Sequence, residues 1–285
     1  MKRIWFAICL MFIVLGAQAE KRALVIGIGN YPDVDYGWHT INGNNDISII
    51  CDMLRCNGFK DKYIQTLRDE QATYQGITSA LSRMIAKSEK GDIVYIHFSG
   101  HGQQITDLNG DEAEGYDEAW IPYDALQEPT SEYQGQYHIT DDLLNAELLK
   151  LKKKVGDSGK IIVVSDACHS GTSTRVANEE SVIRGSSAKF ILTAPKVSYS
   201  KSNSIQWISI SACADKECNR QCKANDGTKY GSLSYTLYQM RYTLRGFAMD
   251  ELDSKLKEML CPPLIARPQT PQVEYAGSAQ QHMFE

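Results

Sequence analysis

Two short apolar runs stand out in the hydrophobic pattern of the chain, at 92–98 and at 161–165. Both are rich in β-branched residues and lack polar alternation, which is typical of strands buried on both faces of a parallel sheet. A third such run, at 22–28, lies near the N-terminus. Further strands are predicted at 63–67, 119–123 and 206–211.

Between these runs the apolar residues recur with helical spacing. Amphipathic helices are predicted at 46–56, 73–87, 141–152, 232–241 and 249–260. Thr140 is expected to cap the helix that begins at 141. The alternation of strands and helices predicts an α/β fold with a mostly parallel central sheet and helices on both of its faces.

Two segments lack either pattern. Residues 172–187 are polar and rich in Ser, Asn and Glu, which predicts an exposed, flexible loop. The tail carries prolines at 262, 263, 268 and 271, which favours an extended path.

Residues with reactive side chains follow two of the predicted strands. His101 lies in a Ser-Gly-His-Gly motif at 99–102, and Cys168 in an Asp-Ala-Cys-His-Ser-Gly motif at 166–171. In open α/β sheets, active sites form beyond the carboxyl ends of the strands. We therefore expect the side chains of His101 and Cys168 to belong to one active site. Cys168 is the candidate nucleophile and His101 the candidate proton-transfer group. The alternatives are a structural or disulfide-bonded cysteine and a histidine satisfied in the core.

Two other histidines are poorer candidates. His97 lies inside a predicted strand, and the side chain of His169 is expected to point away from Cys168. The backbone N–H groups of Gly102 and Cys168 are candidate oxyanion donors.

The two motifs occur in order with several others, and together they carry a resemblance. The other motifs lie at 22–31, 45–46, 115–118, 139–142, 211–215 and 231–236. The chain resembles the caspase-like cysteine peptidases (peptidase C14), and among them bacterial metacaspase- or orthocaspase-like members. The resemblance implies a caspase-like fold and hydrolysis of peptide bonds by a Cys–His dyad through a thioester acyl-enzyme.

The resemblance also implies which residues line the S1 pocket. Asp46, Ser99 and Asp166 match the pocket positions of the metacaspases. Carboxylates bind guanidinium and ammonium groups through charge-assisted hydrogen bonds, so we expect cleavage after Arg or Lys. The alternative for Asp46 is that it caps its helix.

An acidic segment raises the question of calcium. Some metacaspases bind calcium through residues that match Asp117, Asp141 and Asp142, but the family's further aspartate corresponds to Arg175. Acidic residues in the first turn of a helix also interact favourably with its dipole, which is the alternative for Asp141 and Asp142. We therefore predict neither a metal site nor a cofactor, and leave calcium dependence open.

The loop after Cys168 contains basic residues, namely Arg175, Arg184 and Lys189. With a pocket for basic residues, the resemblance implies that this loop is a candidate for self-cleavage. The alternative is an ordinary solvated loop.

The N-terminus has the pattern of an export signal. Lys2 and Arg3 precede an apolar core at 4–15, and Ala19 ends a small-residue cleavage site. The apolar core is too short to favour a membrane anchor. We expect a signal peptide at 1–19, a caspase-like peptidase domain at 20–285, and an extracytoplasmic product, either periplasmic or secreted.

An odd number of cysteines remains after residue 19. They are Cys51, Cys56, Cys168, Cys213, Cys218, Cys222 and Cys261. In an oxidising compartment at least one thiol stays unpaired, and Cys168 is the candidate. Cys213, Cys218 and Cys222 are expected to staple a local loop, with a zinc site as the alternative.

The formal net charge of −5 argues against nucleic acid as the main partner. We expect protein or peptide substrates, no membrane association after signal cleavage, and a monomer. Two other functions stay open. One is a catalytically silent caspase-like module that binds peptides or proteins, and the other is a cysteine amidase or transpeptidase on the same scaffold.

Overall fold

The computed structural model describes residues 19–32, 36–112, 114–168, 182–186, 188–193, 205–214, 217–260 and 269–285. The expected α/β class is confirmed. The strands are β1 (Lys21–Gly27), β2 (Ile64–Arg68), β3 (Ile93–Ser99), β4 (Gly102–Thr106), β5 (Tyr116–Trp120), β6 (Ile139–Thr140), β7 (Lys160–Asp166), β8 (Ile208–Ser211), β9 (Gln221–Lys223), β10 (Lys229–Gly231) and β11 (Gln272–Tyr275). The α-helices are α1 (Gly43–Cys56), α2 (Tyr74–Lys87), α3 (Asp141–Val155), α4 (Ser232–Gln239) and α5 (Met249–Leu260).

The central sheet has six strands in the order β11-β8-β7-β3-β1-β2. All neighbouring strands are parallel except β11, which runs antiparallel to β8. The uninterrupted apolar runs of β1, β3 and β7 lie in the middle of this sheet and are buried on both faces.

Alternate residues of each central strand contribute to two separate apolar clusters. Leu24 and Ile26 of β1 face one cluster, which contains apolar residues of α2 and α3. Ala23 and Val25 face the other, which contains those of α1, α4 and α5. The expected arrangement of helices on both faces follows from this period of two.

A small antiparallel sheet of β4, β5 and β6 lies beyond the end of β3. The strand predicted at 119–123 is β5, which lies at Tyr116–Trp120 and belongs to this sheet rather than to the central one. A further stretch of chain runs alongside β4, with parallel bridges from Gly102 to Gly185 and from Ile105 to Phe190.

In the described part of the tail, residues Gln272–Tyr275 form β11 at the edge of the central sheet. Residues 1–18, which hold most of the predicted signal peptide, and 261–268 lie outside the described part of the chain. Within the described residues, none of the helices combines the length and apolar character that a membrane span needs.

Candidate active site

The sheet brings the two candidate catalytic residues to one edge. Strands β3 and β7 are parallel neighbours, and Ser99 at the end of β3 pairs in register with Asp166 at the end of β7. His101 and Cys168 each follow two residues later, and both are fully buried. The register thus places both residues beyond the same edge of the central sheet.

The imidazole of His101 is held in one orientation. Its Nε2 lies 2.8 Å from the carbonyl oxygen of His39 and donates to it, which leaves Nδ1 as the acceptor nitrogen. The ring stacks on Trp38 at a centroid distance of 4.9 Å. Nδ1 is buried and has no hydrogen-bond partner within the described residues. Burial is the largest cause that lowers the pKa of His101, and the charge interaction with His39 is the second. The pKa falls to about 3, so the ring is neutral.

The thiol of Cys168 lies among other thiols. It donates to the carbonyl oxygen of Glu217 at 3.0 Å, and Cys213 donates to the same oxygen at 3.6 Å. The pKa of Cys168 is raised to about 12. A hydrogen bond with Cys213 is the largest cause, and burial acts in the same direction, whereas a weaker hydrogen bond with Cys218 lowers the pKa. The thiol is therefore protonated in this state.

The prediction of a disulfide within the local loop of Cys213, Cys218 and Cys222 is wrong. Cys213, Cys218 and Cys222 are all free thiols in the structure. The zinc alternative fails as well, because the only group of potential metal ligands that lie close together in the described residues is made of aspartates.

The side chain of Arg184 fills the predicted S1 pocket and is fully buried. Its Nη1 lies 2.7 Å from Oδ2 of Asp46 and 3.7 Å from Oδ1 of Asp166, and it also donates to Oγ of Ser99. Burial lowers the pKa of the guanidinium, but Asp46 and Asp166 outweigh burial and hold it above its ordinary value. The three expected pocket residues therefore surround one charged arginine.

Backbone and side-chain donors fix the pocket carboxylates. The N–H of Gly231 donates to Asp46 Oδ1 at 3.0 Å. Ser234 donates to Asp166 Oδ2 from its N–H at 2.8 Å and from its hydroxyl at 2.6 Å. Asn219 donates to Oδ1 of Asp166 at 2.7 Å. The capping alternative for Asp46 is wrong, because α1 has no side-chain cap and the carboxylate faces the pocket.

The main chain at Arg184 is held as firmly as its side chain. Its carbonyl oxygen accepts from the N–H of Cys168 at 2.8 Å and from that of Gly102 at 3.4 Å, the two predicted oxyanion donors. Its own N–H donates to the carbonyl of Asn219 at 3.0 Å. The prediction of an exposed loop at 172–187 is therefore wrong for residues 182–186. The charged side chain of Arg184 can be buried here because two carboxylates compensate its charge.

Other predicted residues lie elsewhere or outside the described chain. His97 is buried and contacts the hydroxyls of Tyr95 and Ser234, so it is satisfied within the core. The ammonium of Lys189 lies 3.5 Å from the ring centre of Tyr116, away from the pocket. His169 and Arg175 lie outside the described residues.

Sequence reasoning missed several residues that build the site. They are His39, Glu217, Asn219, Gly231 and Ser234. His39, Glu217 and Asn219 carried no usable signal. Gly231 and Ser234 lie in the motif at 231–236, which the resemblance covered without assigning them a role.

A cluster of carboxylates lies near β5. Ligand oxygens of Asp107, Asp111 and Asp117 fall within 4.8 Å of one another. Burial, followed by the charges of Asp141 and Asp142, raises the pKa of Asp117 to about 8. An all-oxygen donor set of this kind fits a hard cation such as calcium, and calcium dependence stays an open prediction.

A separate cavity of about 390 Å³ lies between β5 and β8, and its lining includes Glu118, Ser165 and Glu274. It contains neither His101 nor Cys168. The predicted S1 pocket is not an open cavity in this structure because Arg184 occupies it.

Comparison with known structures defines the class of fold. Caspase-1 from Spodoptera frugiperda has a TM-score of 0.58 with 9% identity and covers 90% of this chain and 86% of its own. The protein GSU0716 from Geobacter sulfurreducens has a TM-score of 0.65 with 22% identity and covers 93% and 98%. The fold is therefore that of the caspase-like cysteine peptidases.

A family model narrows the class. The model described as metacaspase, peptidase C14 domain, matches residues 21–177. The chain belongs to this metacaspase family. Its placement among bacterial members stays a prediction.

Curated relatives agree with this assignment. Metacaspase-1 of Mycosarcoma maydis is 33% identical over 166 residues, which are 54% of this chain and 37% of that protein. Metacaspase-1 of Candida albicans is 27% identical over 262 residues, which are 85% of this chain and 55% of that protein. The chain thus covers less than two thirds of the length of either relative.

Proposed function

We propose that the protein is a cysteine endopeptidase that hydrolyses peptide bonds after Arg or Lys through Cys168 and His101. One observation carries the proposal. Arg184 lies against this site as a substrate would, with its guanidinium between Asp46 and Asp166 and its carbonyl oxygen at the N–H groups of Cys168 and Gly102.

The contacts of Arg184 also support lysine as a substrate residue. Its hydrogen bonds and ion pairs are made through one nitrogen, Nη1. Within the described residues, Nε and Nη2 have no partner. Because one nitrogen makes the polar contacts, a lysine ammonium offers the same charge to the same carboxylates.

We propose the following catalytic sequence. The thiol of Cys168 gives its proton to Nδ1 of His101, and the sulfur then attacks the carbonyl carbon of the basic residue. The N–H groups of Cys168 and Gly102 stabilise the negative charge on the carbonyl oxygen. The imidazolium protonates the leaving amine as the C–N bond breaks, and water then hydrolyses the thioester.

The same geometry makes the Arg184–Gly185 bond the expected site of self-cleavage. Of the three basic residues expected in this loop, Arg184 is the one seated between the pocket carboxylates. Incubation of the purified chain should release a fragment that begins at Gly185, and Cys168→Ala should abolish it. A fragment beginning after Lys189 instead would contradict the assignment.

The primary test is hydrolysis of matched fluorogenic peptides that end in Arg, Lys, Asp or Asn, with and without calcium. We expect hydrolysis of the Arg and Lys peptides only, and a loss of at least about 10³-fold in Cys168→Ala, because the nucleophile is removed. Cys51→Ala removes another buried thiol, in α1, and serves as the matched control. Equal activity in Cys168→Ala would refute the proposal.

A second test addresses the pocket. Asp166→Asn should lower kcat/KM for Arg peptides by about 10²-fold, because one of the two carboxylates that hold the cation is lost. Asp92→Asn is the matched control, because Asp92 is also buried but pairs with Arg22 just before β3, at the opposite end of that strand from the site. Unchanged preference for Arg in Asp166→Asn would refute the pocket.

The silent binding module is the alternative. Labelling of Cys168 by a thiol-reactive arginyl peptide would favour the peptidase, whereas binding without labelling or hydrolysis would favour the module. Ligated rather than hydrolysed products would indicate a transpeptidase. We further propose a monomer outside the cytoplasm, to be tested by size-exclusion chromatography and by N-terminal sequencing of the exported protein.

A further inference from the structure

We propose that this site selects glycine as the residue after the basic residue, so that its preferred substrates are Arg–Gly and Lys–Gly bonds. The inference rests on the proposed function, because it treats residues 182–186 as a bound substrate. It concerns Gly185, which follows the arginine in the pocket.

Gly185 lies too close to the nucleophile's own backbone to carry a side chain. A Cβ atom built on Gly185 would lie 2.2 Å from the carbonyl oxygen of Cys168, 3.0 Å from its carbonyl carbon and 2.9 Å from its Cβ. These separations are shorter than van der Waals contact. Two of the three atoms belong to the main chain, so no rotation of a side chain relieves the overlap.

The neighbours of Gly185 prevent it from moving away. On one side, the carbonyl oxygen of Arg184 is bonded to the N–H of Cys168 at 2.8 Å. On the other, the N–H of Ser186 donates to the carbonyl of Gly102 at 3.2 Å. A shift of Gly185 that made room for Cβ would stretch one of these bonds, and the first of them holds the oxyanion position.

The contacts that set this pose are available to other peptides. The segment bridges β4 in parallel at Gly102, and this pairing uses main-chain atoms only. Ile183 likewise accepts a hydrogen bond at its carbonyl oxygen from Nε2 of His39 at 2.9 Å. A substrate held by strand addition adopts the same backbone path whatever its sequence. The requirement for glycine therefore extends from the chain's own segment to substrates.

The direct test compares peptides with the full-length protein. Val-Ile-Arg-Gly-Ser, which copies residues 182–186, is placed between a fluorophore and a quencher, beside otherwise identical peptides with Ala or Val after the arginine. We expect kcat/KM to be about tenfold to hundredfold higher for the Arg–Gly peptide than for the Arg–Ala peptide, because overlap with a rigid wall destabilises the complex.

The chain itself offers a second test with a matched control. In Gly185→Ala, we expect self-cleavage after Arg184 to slow by about tenfold or more and Cys168 to become easier to alkylate, because the segment leaves the site. Gly246→Ala is the control, because a Cβ at Gly246 meets no atom within 4 Å. Its rates should equal those of the unaltered chain.

An arginyl-aminomethylcoumarin peptide separates failure of this inference from failure of the proposed function, since it has no amino acid after the arginine. If the coumarin peptide is hydrolysed and kcat/KM is equal for the Arg–Gly and Arg–Ala peptides, the glycine preference is overturned and the proposed peptidase activity stands. Absence of any hydrolysis of the coumarin peptide would overturn the proposed function and this inference with it.

Discussion

At the scale of single residues, Cys213 is the neighbour with the largest influence on the protonation state of Cys168. The hydrogen bond with Cys213 is the first of several influences, burial among them, that together raise the pKa of Cys168 to about 12. Cys213→Ala removes this bond, so we expect the pKa of Cys168 to fall toward its ordinary value. The measurement is the rate of iodoacetamide labelling at Cys168 as a function of pH, followed by peptide mass spectrometry.

The control for this prediction is Cys51→Ala, whose pH profile at Cys168 should match that of the unaltered chain. A profile for Cys213→Ala that coincides with the control would show that burial, rather than Cys213, keeps the thiol protonated.

Arg184 shows how far reasoning from single residues reaches. The resemblance nominated Asp46, Ser99 and Asp166 for a basic pocket, and these are the residues that contact Arg184. The polar composition around Arg184 nevertheless favoured solvent exposure. A buried cation is stable only where opposite charges meet it, and Asp46 lies 138 residues away in sequence. Local composition carries no information about such a partner.

At the scale of elements, the strand and helix order and the two motif-bearing strands could be predicted from hydrophobic period. Periodicity missed the strands that are too short or too polar to show a pattern, which are β4, β6, β9, β10 and β11. β4 contains two glutamines, and Gln103 is buried because it bonds to the carbonyls of Gln127 and Ala188. Such strands are stabilised by contacts with distant segments rather than by their own sequence.

The start of α4 tests how an element supports the pocket. Gly231 precedes α4, and a Cβ at this position would lie 2.1 Å from Oδ2 of Asp166 and 2.4 Å from Nη1 of Arg184. We expect Gly231→Ala to lower kcat/KM for Arg peptides by about tenfold to hundredfold, because the carboxylate is displaced from its donors. Arg-peptide kinetics measured beside Gly246→Ala would check this, and equal kinetics in the two variants would contradict it.

At the scale of the whole molecule, the C-terminal residues Met283 and Phe284 pack into the apolar cluster that contains α1, α4 and α5. Phe284 is 2% exposed and packs on Phe59 and Tyr95, while its carbonyl accepts from Lys21. Phe284→Ala should therefore lower the free energy of unfolding by about 3–5 kcal/mol, as measured by urea denaturation. Tyr242→Ala, at a side chain that is 75% exposed, should change it by less than about 0.5 kcal/mol. Similar losses in both variants would contradict this contribution of Phe284 to stability.

Buried histidines contribute to the response of the whole fold to acid. Burial lowers the pKa of His101 to about 3 and those of His97 and His138 to about 4. In the unfolded chain these groups have a pKa of about 6.5. Between about pH 4 and 6.5 the unfolded state therefore binds protons that the native state does not. Their contribution to stability is thus complete above about pH 6.5 and is lost as the pH falls through the folded pKa values.

His138 is the residue to substitute, because it bonds Tyr133 and Gln103 outside the dyad. Urea denaturation across this pH range gives the slope of the unfolding free energy against pH. His138→Gln should lower this slope by about 1.4 kcal/mol per pH unit, since one fewer proton is taken up on unfolding. Leu149→Gln, at an exposed side chain that does not titrate, should leave the slope unchanged. An unaltered slope in His138→Gln would mean that His138 is protonated in the native state, in which case burial does not govern its charge.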